Sequence, residues 1–274
     1  MTTRVGMLRK TAGISQAFLK LGFQQAVSYP LAFVLGQAAA IVPVFIFFFV
    51  SQLTGGTQAR VGGDYFTFVV TGLVSLKLVD AGLRGLGAEL DRAINRGWLE
   101  MFLVEPIRWR MLPFGLVQWP LMQGLVGAAI TLVIALALGA RFRPEGIPVA
   151  LLVTVLGIGA GLAIGLISGA FKVLAKSGDP VLFLYTLATQ VFAGGFFPVD
   201  LLPAYLRPIS YLLPHTYVLA ALRRVLMENG SELSGPSASQ AVLMLVAFCA
   251  ILLPLSLWLY GRALEYGRKL GVLS

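Results

Sequence analysis

Long apolar runs separated by short polar intervals set the pattern of this chain. A helix needs about 20 apolar residues to cross a bilayer. Six segments read as such spans: 30–52, 65–86, 111–138, 147–171, 180–197 and 239–260. The first ends in the strongly lipophilic IFFFV of Ile46–Val50 and carries no charge. Three intervals are short and rich in turn residues: TGGTQARVGGD (54–64), GARFRPEG (139–146) and KVLAKSGD (172–179). The first long apolar run begins near Tyr29 and is too long for the core of a secretory signal, so it reads as a retained span.

Three stretches depart from this alternation. Residues 1–28 carry Arg4, Arg9, Lys10 and Lys20 and no acid, with Met7, Ile14, Phe18 and Leu21 at helical spacing. This predicts an amphipathic helix lying on the membrane surface; the alternative is a basic tail without structure. Residues 92–110, RAINRGWLEMFLVEPIRWR, form the densest charged run. There apolar residues alternate with charges and Pro106 closes the segment, the form of a short docking helix. Residues 198–230 are too apolar for a water-exposed loop and too broken by Pro198, Pro203 and Pro214 for a span. They predict short helices dipping into the outer leaflet, with an interfacial anchor as the alternative. Within them, 216–228 is amphipathic: Val218, Leu222, Val225 and Leu226 lie away from Arg224 and Glu228.

Composition agrees with a membrane chain. Of the 274 residues, 58% are hydrophobic and 12% charged, against about a quarter charged in a soluble domain. The net charge of +9 would suggest nucleic acid in a soluble protein. Here the cations sit in the intervals, which is the positive-inside pattern, so no nucleic-acid partner is expected. With the N-terminus inside, fourteen Lys and Arg fall in the inner segments and six in the outer ones: Arg60, Arg141, Arg143, Arg207, Arg223 and Arg224. Six spans with both termini in the cytoplasm follow. The fold class is therefore an all-α polytopic membrane protein, a single transmembrane domain over 1–274 that belongs in a cell membrane.

Candidate chemistry is sparse. A lone cysteine, Cys249, and a lone histidine, His215, leave no disulfide and no evident metal site. His215 follows Pro214 and reads as a satisfied interfacial residue rather than a general base. No GxxxxGK[ST] phosphate loop and no GxSxG occur. Lys77, Asp80 and Arg84 share one face of the second span. They form either an intramembrane ion or substrate site or an inner-leaflet end where Lys77 snorkels and pairs with Asp80. Gly157, Gly161, Gly165 and Gly169 recur every fourth residue, a smooth face for close helix approach within the monomer or across a dimer seam. The path through the spans is lined by apolar, aromatic and small residues, which suits amphipathic or lipid-like cargo.

Two stretches, RGWLEMFLVEPIRWR and FFPVDLLPAYLRPISYLLPHTYVLAALRRVL, resemble the permease subunits of type-2 ABC exporters. Arg96, Gly97, Leu99, Glu100, Phe102, Leu103 and Pro106 stand in the pattern of that family's cytoplasmic coupling helix. Trp98 departs from it, standing where the family often has a small polar residue. Phe197, Pro198, Leu202, Pro203, Leu206, Ile209, Leu213, Pro214, Thr216 and Tyr217 stand in the pattern before the last span. The resemblance implies an exporter half-pore. Two copies would pair, and each would seat Arg96–Pro106, with Trp98 and Glu105 included, on a separate ATPase subunit that carries the ATP and magnesium. No cofactor would be bound by this chain. Phe196, Phe197, Pro198, Leu202, Pro203, Leu206, Pro214 and Tyr217 would form a re-entrant outer gate. The cargo would be drug-like, lipid-like or a lipid-linked glycan. The alternatives are an ion- or proton-coupled secondary transporter using Lys77 and Asp80, and a membrane enzyme or scaffold.

Overall fold

The computed structural model describes residues 16–39, 41–53, 57–58, 63–95, 112–175, 179–230, 233 and 235–269. The first described element is helix α1 (16–28). α2 (Pro30–Ala38) and α3 (Val42–Leu53) follow, together forming one apolar segment with a break between them. The turn-rich interval after α3 contains a two-stranded antiparallel pair, β1 (Thr57–Gln58) and β2 (Gly63–Asp64), with Thr57 opposite Asp64. Then come α4 (Tyr65–Asn95), α5 (Leu112–Ala137) and α6 (Ile147–Ala175). α7 (Pro180–Phe192), α8 (Arg207–Tyr211), α9 (Pro214–Leu226) and α10 (Ala238–Lys269) complete the chain, with short 3-10 turns at Pro144–Gly146 and Val199–Leu201. Gly139 stands at one end of the bundle, the Gly139 end, and Lys172 at the other, the Lys172 end.

Among the described residues, five segments are long and apolar enough to cross a membrane: Pro30–Leu53, Tyr65–Glu89, Pro113–Ala137, Pro144–Leu174 and Ala238–Tyr266. α7, placed by its sequence in a span over 180–197, has only 13 residues. Its start is well defined: Pro180 takes the first helical position and Asp179 caps it, accepting from the Leu182 amide at 2.9 Å. Its end is set by Gly194, whose φ of +81° turns the chain out of the helix. In contrast, α4 and α10 run past their apolar stretches, and in α4 polar residues there pair at helical spacing, as Arg92 does with Glu89 at 2.9 Å.

α4 is the centre of the bundle. It packs on α5 and α6, and α10 packs on the far side of α6. Glycine makes these approaches close. A Cβ at Gly161 would stand 2.7 Å from Val79 O, and one at Gly165 would stand 2.6 Å from Leu83 O. A Cβ at Gly157 would meet Val218 and Val79, and Gly169 is buried. The glycine face of α6 therefore lies against α4 and α9 within the chain. Gly85 does the same for α5, since a Cβ there would fall 2.4 Å from Pro120 Cβ, the proline inside that helix. α1 lies across the Lys172 end: Phe23 meets Trp119 edge to face at 6.5 Å, and Gln25 accepts from Arg92 at 3.2 Å.

Much of the outer surface is apolar. Phe49, Leu151, Val155, Phe183, Leu184, Leu243 and Ile251 each stay more than 60% exposed. Such a surface is stable only against lipid or another apolar chain.

Candidate functional site at the helix between the last spans

α9 lies along α4 with its two ends held at different depths. Near its C-terminus Arg223 is buried. Its Nε donates to Phe68 O at 3.2 Å, Nη1 to Gly194 O and Nη2 to Gly195 O, both at 2.6 Å. The guanidinium carbon also lies 3.4 Å from the centre of the Phe68 ring. Gly194 and Gly195 carry carbonyls left over where α7 ends, so one arginine joins α4, α7 and α9. Gly72 leaves room for this junction, because a Cβ there would strike Gly195 O at 2.6 Å. Its neighbour Arg224 turns the other way and donates to Leu233, Gly235 and Pro236 carbonyls, which pins the chain leading into α10.

At the N-terminal tip of α9, His215 is 2% exposed. Its Nδ1 lies 2.8 Å from the Tyr185 hydroxyl of α7. Its Nε2 has no hydrogen-bond partner among the described residues and lies 3.9 Å from Asp80 Oδ1. Asp80 in turn pairs through Oδ2 with Arg84 Nε at 3.3 Å. Phe68 and Asp80 are twelve residues apart on α4, about 18 Å at 1.5 Å per residue. α9 thus starts deep beside Asp80 and rises to the Gly139 end, where Leu226 O accepts from the Arg143 amide at 2.8 Å. α8 leads down to this tip, and its turn is closed by Thr216 Oγ1 donating to Ser210 O at 2.6 Å.

Of the residues expected at an outer gate, Phe196 stacks on Phe47 of α3 with ring centres 5.3 Å apart. Leu202 and Pro214 are buried, Phe197, Pro198 and Leu206 are half-buried, and Pro203 is exposed. Tyr217 is buried on α9 and donates its hydroxyl to Tyr211 O at 2.9 Å. The expected docking residues Arg96, Gly97, Trp98, Leu99, Glu100, Phe102, Leu103, Glu105 and Pro106 lie outside the described residues.

The face shared by Lys77, Asp80 and Arg84 is divided. Asp80 pairs with Arg84, not with Lys77. A Cβ on Gly127 would stand 3.3 Å from Lys77 Nζ, so Lys77 reaches towards α5 while Asp80 faces α9. Three residues of helix turn the two side chains far enough apart to meet different neighbours. His215 is also not at an interface with water; the apolar turn of Leu213 and Pro214 carries it inside the protein. Arg223 was counted as an outer-loop cation, yet it is enclosed, because the carbonyls of a broken helix end need donors more than the cation needs water. The one signal of this in the sequence was its place on an amphipathic stretch beside Arg224, with two glycines at the end of the preceding apolar run.

Towards the Lys172 end, Asp179 also accepts from Ser168 Oγ at 2.5 Å and pairs with Lys172 Nζ at 3.5 Å. Both charged side chains are nearly enclosed, and Lys172 Nζ lies 3.4 Å from Gly87 O. This ties α4, α6 and α7 together at that end as Arg223 ties α4, α7 and α9 at the other. Among the described residues no group of three or more His, Cys, Asp or Glu side chains could hold a metal ion. The arrangement is one of buried polar junctions between helices.

A comparison with curated proteins finds no match. A family model described as "ABC-2 family transporter protein" matches residues 119–258, from within α5 through the whole α7–α9 unit into α10. Together with five membrane-length apolar helices, that match over half the chain establishes that this multi-pass membrane protein belongs to the ABC-2 transporter family and is a permease of that type.

Proposed function

We propose that this chain is the membrane-spanning subunit of an ATP-driven exporter in a cell membrane, with the Lys172 end and both termini in the cytoplasm. Two copies pair around a path for an amphipathic, lipid-like, drug-like or lipid-linked glycan cargo. A separate ATPase subunit, which holds ATP and magnesium, docks on the segment 92–110 through Arg96, Gly97, Trp98, Leu99, Glu100, Phe102, Leu103, Glu105 and Pro106. α9 with the chain before it is a re-entrant outer gate.

The observation that carries this reading is the continuity of α4. It is one helix from Tyr65 to Asn95, 31 residues or about 46 Å. Its outer half holds Arg223, its middle faces His215 through Asp80, and its last turn enters the docking segment. Packed helices move as rigid bodies rather than deforming. A tilt of about 5° over that length shifts one end by about 4 Å. Closure of the ATPase dimer would push the docking segment, tilt α4 and move the tip of α9. Within docking, Phe102 and Leu103 act as apolar anchors and Glu100, Glu105 and the arginines as a polar rim. The apolar outer faces of α2–α3 and α7 leave room for a second copy and for lipid.

The docking assignment is tested by purifying the chain with its ATPase and comparing Glu100→Arg and Leu103→Asp with wild type. Loss of ATPase retention and of ATP-dependent transport, with an unchanged thermal midpoint of the permease alone, is the expected result. Survival of assembly and transport in both variants rejects the assignment.

A further inference from the structure

Lys77 stands on α4 about 18 Å from Tyr65, inside a hydrocarbon core about 30 Å thick. A lysine at the inner end of a span sends its ammonium towards the nearby headgroups, here towards the Lys172 end. This one goes the other way. A Cβ on Gly124 of α5 would stand 3.3 Å from Lys77 O, and one on Gly127 would stand 3.3 Å from Lys77 Nζ. α5 runs towards the Gly139 end, so the ammonium lies about three residues, or about 4.5 Å, nearer that end than its own backbone. Helical side chains lean towards the helix N-terminus, which for α4 is that end. The charge is therefore held level with Gly127, near the centre of the span Pro113–Ala137.

No acid of the chain is placed to answer it. Residues 1–63 hold no acid, and α5 carries no charge. Asp80, one turn on along α4, pairs with Arg84 and faces α9. Asp64, Glu89 and Asp91 stand about 20, 18 and 21 Å from Lys77 along the chain of α4. Glu100 and Glu105 fall between Asn95, about 27 Å along α4 from Lys77, and Leu112, about 22 Å along α5 from Gly127. What stands beside the ammonium is an amide. Gln37 Oε1 lies 2.8 Å from the same Gly127 Cβ position, so it is within about 6 Å of Lys77 Nζ. Neither Lys77 nor Gln37 forms a hydrogen bond or ion pair among the described residues, and both are half-buried. An amide accepts from an ammonium and donates to an anion. The surface around them is apolar and open, with Val34 and Leu35 of α2 and Leu125 of α5 exposed.

We propose that Lys77, with Gln37, binds the anionic head, a phosphate or carboxylate, of an amphiphilic cargo whose apolar part lies in the membrane between α2 and α5. That this ligand is cargo rests on the exporter reading above. Depth and charge select it. A free ion has no apolar part to carry it to mid-membrane. A cationic amphiphile meets like charge there. A neutral one leaves the ammonium unanswered where an unpaired charge is costly.

The test uses four fluorescent probes with one acyl tail and different heads: phosphate, carboxylate, hydroxyl and trimethylammonium. Binding to the full chain in neutral detergent micelles is read by fluorescence polarisation and needs no ATPase. Wild type is expected to bind the two anionic heads at least about tenfold more tightly than the hydroxyl, with trimethylammonium weakest. Lys77→Gln is expected to bring the anionic heads within about twofold of the hydroxyl, and Lys77→Arg to keep the preference. Lys20→Gln, which removes an exposed cation of α1, is expected to leave it unchanged, as net charge alone would not. Equal binding of the four heads by wild type overturns the proposal whether or not the variants fold. So does an anion preference that survives in Lys77→Gln with an unchanged thermal midpoint. In proteoliposomes with the ATPase, Lys77→Gln is expected to slow ATP-driven movement of the phosphate probe at least about tenfold relative to the hydroxyl probe. A binding preference without that loss makes the anion a resident lipid and overturns its assignment as cargo. Absence of ATP-driven movement of every probe counts against the exporter reading, while the binding comparison still decides the site.

Discussion

Replacing Arg223 by Met removes the donor that joins α4, α7 and α9 while keeping a long apolar side chain. Three carbonyls lose a charged partner: Phe68 O at 3.2 Å and Gly194 O and Gly195 O at 2.6 Å. Phe68 O belongs to a helix and keeps its ladder partner. The other two sit at the end of α7, where both glycines are buried. Each buried acceptor left unmade costs about 1–3 kcal/mol. Loss of the cation stacked on Phe68 adds about 1–2 kcal/mol. Removing the enclosed cation recovers part of its desolvation cost, so the net loss is expected at about 2–4 kcal/mol, set mainly by the two orphaned acceptors. Arg223→Lys keeps the charge but offers a compact donor without the planar fork, so it is expected to recover less than half of that loss. The assay is equilibrium unfolding of each variant in mixed micelles, followed by helicity. A loss below about 1 kcal/mol for Arg223→Met would refute the reasoning, since it would mean the carbonyls at the end of α7 find other donors at no cost.

Four further outcomes follow from the packing. Gly165→Ala places a methyl 2.6 Å from Leu83 O, a backbone atom that cannot swing aside, so a loss of about 1–3 kcal/mol is expected. Gly36→Ala meets nothing within 4 Å in the last turn of α2 and should raise stability by about 0.5–1 kcal/mol; the same unfolding assay reads both, and equal effects would contradict the packing of α6 on α4. Because the chain has one histidine, nitrogen-15 NMR of the imidazole reports on His215 alone. The Tyr185 hydroxyl donating to Nδ1 predicts the tautomer protonated at Nε2, and a spectrum of the Nδ1-protonated form would reverse that bond. Tyr185→Phe leaves both ring nitrogens without a hydrogen bond and is expected to cost about 1–3 kcal/mol in unfolding, with no loss pointing to a solvated ring.

The long apolar runs made the helices legible, since bilayer thickness fixes their length, and Pro198, Pro203 and Pro214 marked the broken stretch between the last two. Hydropathy does not locate helix ends. α4 continues past its apolar stretch through Glu89 and Arg92, which hydropathy reads as interval and which pair at helical spacing. α7 stops five residues before its apolar run does, because Gly194 turns the backbone while Phe196 and Phe197 remain apolar. The spacing of Lys77, Asp80 and Arg84 gave a common face but not the neighbours of that face. Those are set by α5 on one side and the tip of α9 on the other. Arg223 and Tyr185 were not legible as partners. One sits in a stretch expected to dip into the outer leaflet and the other in a span, and only the fold brings His215, Asp80 and the end of α7 between them.

The most direct measurement of the central claim is cargo movement in proteoliposomes holding this chain with or without its ATPase, scored with amphipathic reporter lipids and dyes. ATP-driven exporter function predicts transport only with both the ATPase and ATP present, and none from an imposed proton or sodium gradient. Gradient-driven transport by the purified chain alone, lost on Asp80→Asn, would contradict it.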